Sequence, residues 1–144
     1  MAYWLLKTEP NVYSYQDLAR EGSTIWDGVK NNLALKQIRT MSVGDLALIY
    51  HTGRERRAIG IAEVVSSPYP DPQLNQPKLV VVNVRSRFEL PQPVTLAQIK
   101  QQPDLANSDL VRIPRLSVVP LSPEDWQKIL TLGNVALDSI NFEK

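Results

Sequence analysis

The sequence predicts an α+β domain: a curved, largely antiparallel sheet or barrel of about five or six strands, flanked by short helices. Three observations carry this. Runs rich in β-branched and aliphatic residues, "LALIYHT" and "KLVVVNVRSRFEL" above all, read as strands. Helix-start signals at Ser14, Thr95 and Ser122 each open only a short stretch. The strands do not alternate with helices in a regular βαβ rhythm, which argues against a parallel doubly wound sheet. With 144 residues the chain reads as a single domain over 1–144. A chain of this size buries roughly 68–70% of its unfolded surface, enough for a core without staples.

In order, "YWLLK" is a short apolar run and predicts a buried first strand. Ser14 followed three residues later by Asp17 opens a helix to about Arg20, with Gly22 as its stop. "TIWDGV" predicts irregular chain or a short strand. Leu35, Ile38 and Met41 recur at helical intervals, with Asn31 or Asn32 available as the cap. "SVGD" is a turn before the strand "LALIYHT", and "RAIGIAEVV" is the next strand. There Gly60 marks a bulge or a close backbone approach. The four prolines of "SSPYPDPQLNQP" predict a surface loop without regular structure. In the strand after it, Val84, Ser86 and Phe88 alternate with Arg85 and Arg87, so the two arginines share a face. Thr95 with Gln98 is a capping-box pattern, and "IPRLSVVPL" reads as extended. Ser122, Pro123, Glu124 and Asp125 begin a last helix that Gly133 ends.

Several chemistries are excluded. There is no cysteine, hence no disulfide, thiolate zinc site or thiol nucleophile. His51 is the one histidine, so a histidine metal cluster is not expected, and neither metal nor cofactor is predicted. No phosphate-cradling glycine loop, dinucleotide fingerprint or nucleophile elbow occurs. The opening "MAYWLLKTEP" lacks the features of a signal peptide, and no segment has the length of a membrane span. A cytoplasmic protein, probing no membrane, is expected. Net charge is +1, with lysine and arginine outnumbering acids two to one over 25–57 and over 78–116. Such local excesses fit ordinary solvated faces as well as a polyanion partner.

The remaining candidates are polar and aromatic. Trp26 and Asp27 stand together, and Tyr50, His51 and Thr52 adjoin a basic loop carrying Arg54, Arg56 and Arg57. Aromatic faces near positive charge suit nucleobases and phosphates; stacking contributes roughly 1–3 kcal/mol per base. Composition and local pattern alone favour Trp26 and Tyr50 as core residues. An enzyme using His51 with Asp27 or Glu9 is a further alternative, though a lone histidine in a strand is more often structural.

The motifs "YWLLKTEP", "YSYQDL", "WDGVKNNLA", "MSVGDLALIYHT", "GIAEVV", "YPDP" and "DLVRIPRLSVVPLSPEDW", in this order and spacing, resemble the EVE domain family from about Tyr3 to Leu130. The resemblance implies a PUA-like fold, a small curved β-barrel flanked by helices. It also implies a non-catalytic module that reads a modified base, 5-methylcytosine or 5-hydroxymethylcytosine in DNA, by flipping it into an aromatic-walled pocket; a monomer is expected. A module for RNA, as in the related YTH, PUA and ASCH domains, is the alternative, with Arg85 and Arg87 as its support. By motif, Trp26 resembles a pocket wall, and Asp27 and Asn31 polar groups at the base edge. Tyr50 and His51 resemble strand residues lining the same cavity. Lys7, Thr8 and Glu9 match the rim, Ser14 the "YS" position, and Arg115, Leu116 and Ser117 a further lining element. Lys30 stands where the family often has arginine and, with Arg54, Arg56 and Arg57, is expected on phosphates. A DNA-binding role would place the protein at the nucleoid.

Overall fold

The computed structural model describes residues 1–136. The chain runs β1 (Tyr3–Thr8), α1 (Tyr15–Glu21), β2 (Ser23–Trp26), α2 (Asn32–Arg39), β3 (Leu46–His51), β4 (Arg57–Val64), β5 (Tyr69–Pro70) and β6 (Val80–Thr95). It continues through α3 (Leu96–Lys100), a 3-10 turn at Pro103–Leu105, α4 (Asp109–Arg112), β7 (Val118–Leu121) and α5 (Pro123–Leu132). The expected α+β class holds.

β3 is buried along its whole length. A strand enclosed on both faces has no polar side, which is why "LALIYH" is apolar without alternation. It pairs in parallel with β1 and antiparallel with β4, and the sheet order is β2-β6-β4-β3-β1-β7. The path is open, with β2 and β7 at its edges, so the barrel is not closed by hydrogen bonds among the described residues. Among the described residues there are seven strands rather than five or six, because β2 forms and because β5, inside the predicted proline loop, pairs with β6.

β6 runs past its predicted end through Pro91 and Pro93. Between Ala58 and Gly60 the register with β4 shifts, so that residues 90–93 lie opposite Ile59 alone. The prolines sit in this bulge, where no ladder donor is required of them. The exposed backbone finds other work there: the Gln92 N–H donates to the Gly133 carbonyl at 3.1 Å, tying the end of α5 to the bulge.

Gly60 is a close approach. A Cβ built there would lie 2.5 Å from the Tyr15 ring. Tyr15 is buried, its hydroxyl donates to the Ile61 carbonyl at 3.0 Å, and α1 thereby docks on β4. The predicted capping boxes at Ser14 and Thr95 both form, and Ser122 caps α5. α2 ends at Arg39, two residues before Met41, which is buried all the same. At the end of the sheet Asp45, 2% exposed, accepts from Trp4 Nε1 and from the N–H groups of Ala2 and Ser42. Tyr3 stacks on Trp126 with ring centroids 4.7 Å apart, which fixes α5 against β1.

Candidate functional site

A cavity of about 660 Å³ opens between the end of β1, the turn before α1, and β2 with the loop after it. β2 pairs with β6 and ends at Trp26, opposite Val82. Gly28 follows at φ +79°, and nothing lies within 4 Å of a Cβ built there. Its glycine is therefore required by the backbone alone, in a left-handed turn. That turn leads Asp27, Val29 and Lys30 around the cavity to Asn31, where α2 begins.

Trp26 is 7% exposed, and what remains open faces this cavity. It is both core and wall. Tyr13 supplies a second aromatic wall, edge-on to Trp26 with centroids 6.3 Å apart at 83°. The Tyr13 hydroxyl donates to Glu21 Oε1 at 2.7 Å. Burial, reinforced by this carboxylate, pushes the Tyr13 phenol up to about 12, so it stays neutral. The turn holding Tyr13 is stiff. The N–H groups of Val12 and Tyr13 both donate to the Glu9 carbonyl at 2.9 Å, and Thr8 Oγ1 donates to the Tyr13 carbonyl at 2.6 Å. Val12 stands at the mouth, 80% exposed.

Of the residues expected at the site, Lys7, Thr8, Trp26, Asp27, Lys30 and Ser117 line this cavity together. Val12, Tyr13, Glu21, Thr24, Ile25 and Val29 line it too and were not expected. Strand alternation puts Thr24 on the side of Trp26 once β2 is recognised. The signal for Tyr13 was its place as the tyrosine of the "YS" motif, of which only Ser14 was carried to the site.

The other expected residues lie elsewhere, each for a physical reason. Ser14 is taken up as the N-cap of α1. Asn31 caps α2, its side-chain oxygen accepting from the Ala34 N–H at 3.0 Å. Leu116 is core, and Arg115, though exposed, does not line the cavity. Glu9 lies beside Thr52 and Gly53. His51 is 2% exposed and does not line the cavity. Its Nε2 accepts from the Tyr15 N–H at 2.9 Å, and its Nδ1 meets Glu55 Oε1 at 2.9 Å. A backbone N–H can only donate, so Nε2 carries no proton and Nδ1 donates to Glu55. Both ring nitrogens are thus occupied in joining α1 to the loop after β3. The His51 hydrogen bond, with help from Arg57, holds the Glu55 carboxyl below its ordinary range.

Tyr50 is buried and lies on the far side of Lys7, whose ammonium sits 5.7 Å above its ring. Lys7 Nζ donates to the Pro114 carbonyl at 2.8 Å, and burial lowers its pKa. Tyr50 and Arg56 line a second, smaller cleft, with Arg54 in the groove adjoining it; Arg57 pairs with Glu55 at 3.3 Å. No group of three or more His, Cys, Asp or Glu that could hold a metal occurs among the described residues. Nor is any described helix long and apolar enough to cross a membrane.

A seven-stranded, mostly antiparallel sheet carrying short helices, with an aromatic-walled cleft where β1 and β2 end, defines a protein of PUA-like architecture. More narrowly, the chain belongs to the EVE domain family, which matches residues 2–132. Human thymocyte nuclear protein 1 is 27% identical, over 91% of this chain and 73% of its own length. The crystal structure of human THYN1 in complex with 5-methylcytosine-containing DNA superposes with a TM-score of 0.85 at 28% identity, covering 94% of this chain and 99% of that one. Rpa0253 from Rhodopseudomonas palustris is 38% identical with a TM-score of 0.89, over 93% and 94% of the two chains. An ASCH protein from Zymomonas mobilis, 14% identical with a TM-score of 0.59 over 91% of this chain and 95% of its own, shares the fold.

Proposed function

We propose that this chain is a non-catalytic nucleic-acid-binding module that takes a modified base of the 5-methylcytosine class into the Trp26 cavity. The observation that supports it best is the cavity itself: two aromatic walls, Trp26 and Tyr13, with the Asp27 carboxylate and the Lys7 ammonium on the same lining. It occurs in a chain whose relative, human THYN1, has been crystallised with 5-methylcytosine-containing DNA. Everting a paired base costs a few kcal/mol. Aromatic contact returns roughly 1–3 kcal/mol, and a hydrogen bond from an exocyclic amino group to a carboxylate about 1.5–3 kcal/mol. Together these offset eversion and favour a base with an amino group at its pairing edge. Against an enzyme, the imidazole of His51 is buried with both nitrogens occupied, away from Asp27. Against RNA as the primary partner, Arg85 and Arg87 are both engaged by Glu63.

The test is an anisotropy titration of duplexes carrying cytosine, 5-methylcytosine or 5-hydroxymethylcytosine at one position, with matched RNA as the control. Asp27→Ala is expected to weaken binding of the modified duplexes, and Trp26→Phe to weaken it further. Equal affinity for all three duplexes, untouched by either substitution, overturns the reading.

A further inference from the structure

On the other side of Lys7 from the base cavity lies a cleft of about 330 Å³ between Lys7, Tyr50, Thr52, Arg56 and Lys100. No carboxylate lines it. Elsewhere in the chain Arg20, Arg57, Arg85, Arg87, Arg112 and Lys128 each hold a carboxylate. Among the described residues, by contrast, the side chains of Arg54, Arg56 and Lys100 make no hydrogen bond or ion pair, and the Tyr50 hydroxyl has no partner. Two acids stand nearby and are occupied. Glu55, in the adjoining groove with Arg54, is held by His51 and Arg57, and Glu9 accepts from Thr52 Oγ1 at 3.4 Å.

The backbone shows an independent sign. Arg56 has φ 45°, and Asn134 is its one fellow among the described non-glycine residues at positive φ. The Leu96 N–H, donating to the Arg56 carbonyl at 2.8 Å, holds it there. Non-glycine residues kept in this region gather at ligand clamps, where the surrounding structure maintains an otherwise unfavourable geometry.

We propose that the Tyr50 cleft binds a backbone phosphodiester of a nucleic-acid strand, one adjacent to the base held in the Trp26 cavity. The placement of the strand rests on the base-reading function above; the cleft's preference for a phosphate does not. Lys7 lines both cavities, so a single side chain separates the base from the anion. Arginine and lysine supply charge, and the Tyr50 hydroxyl supplies a neutral donor suited to a phosphate oxygen. Burial lowers the Lys7 pKa, and an anion in the cleft would favour its charged form.

The test uses the full chain and the variants Arg56→Gln and Lys100→Gln. Affinity for a modified duplex is measured across a salt series, and inorganic phosphate is titrated while the amide resonances of Thr52, Gly53 and Lys100 are followed. Each phosphate contact contributes about 0.9 to the slope of log affinity against log salt on duplex DNA. Both variants are expected to lower the slope by about that much, with the ratio between modified and plain duplex unchanged. The phosphate-induced shifts are expected to shrink in both. A lowered slope without any modified-base preference keeps the cleft and overturns base reading alone. Shifts with phosphate but an unchanged slope make the cleft a free-anion site and overturn its assignment to nucleic acid. If no nucleic acid binds, unmoved cleft amides overturn it as well.

Discussion

Gly60→Ala adds one methyl group where the structure leaves no room for it. The new Cβ would sit 2.5 Å from Tyr15 Cζ, 2.6 Å from Cε1 and 2.8 Å from Cε2. Carbon atoms rest at about 3.5–4.0 Å, so the ring has to retreat by about 1 Å. Tyr15 is 1% exposed and has nowhere to retreat without carrying α1 with it. Its hydroxyl would leave the Ile61 carbonyl and its N–H would strain against His51 Nε2. Overpacking costs about 1–3 kcal/mol, and a lost hydrogen bond about 0.5–1.5 kcal/mol more. The expected destabilisation is therefore about 2–4 kcal/mol, a large part of the roughly 5–15 kcal/mol that holds a domain folded. Urea unfolding monitored by circular dichroism reads it as a lower midpoint at unchanged slope. Tyr15→Leu made together with Gly60→Ala should cost less than the two apart, because the leucine vacates the space the methyl enters. Tyr13 lies two residues before Tyr15, so nucleic-acid affinity should fall in the single variant too. A loss under about 0.5 kcal/mol, or strict additivity in the cycle, would refute the close-approach explanation.

Asn31→Ala should destabilise the protein by about 0.5–2 kcal/mol through the lost cap of α2, while leaving base preference unchanged. Altered preference at wild-type stability would return Asn31 to the ligand site. In acid, Glu55 is depressed chiefly by the hydrogen bond from His51, and Asp17 chiefly by the Ser14 N–H, with Arg20 next. Depressed carboxyls stabilise above their unfolded values, 4.5 and 3.8, and lose that contribution as pH falls through the folded ones. Unfolding free energy should thus decline below about pH 4.5, and less steeply in Glu55→Gln and Asp17→Asn. Identical slopes in all three proteins would contradict it.

What could be read from the sequence was what is decided locally. The caps at Ser14, Thr95 and Ser122 bond to groups three residues away, so their motifs suffice. β6 could not be followed past Leu90, because Pro91 and Pro93 read as breakers. What admits them is a bulge opposite Ile59 and a carbonyl at Gly133, both distant in sequence. His51 was ambiguous for the same reason: one of its two partners, the Tyr15 N–H, is 36 residues away. Tyr50 falls at the register shift between Ile49 and Tyr50, and a strand pattern does not show which cavity such a residue lines. Trp26 is core, as one reading had it, and also lines a cavity, since a ring can be nearly enclosed and still close one wall of a cleft. Which asparagine caps α2 is decided by geometry alone, as either of the two adjacent ones fits a cap in sequence.

The size of the cavity sets how sharply a methyl group can be read. Burying one methyl contributes about 0.8 kcal/mol, roughly fourfold in affinity. Discrimination of 10–200-fold needs a pocket shaped tightly around the group. At about 660 Å³ the Trp26 cavity lies in the upper half of the span, about 300–1,000 Å³, of clefts that take ligands much larger than a pyrimidine. Its lining carries Thr8, Thr24, Lys7 and Asp27 among the apolar groups, so it is not a uniformly greasy slot. The expected ratio of Kd for plain over 5-methylcytosine duplex is therefore about four. A hydroxymethyl group that finds one of those polar partners gains a further factor of about two to thirteen, the equivalent of 0.5–1.5 kcal/mol. Net charge of +1 leaves little sequence-independent attraction to mask these differences at moderate salt. Competition titrations of the three duplexes in one buffer measure both ratios. A methyl preference well above tenfold would refute the open-cavity argument and would mean that the stiff turn bearing Val12 and Tyr13 closes onto the base.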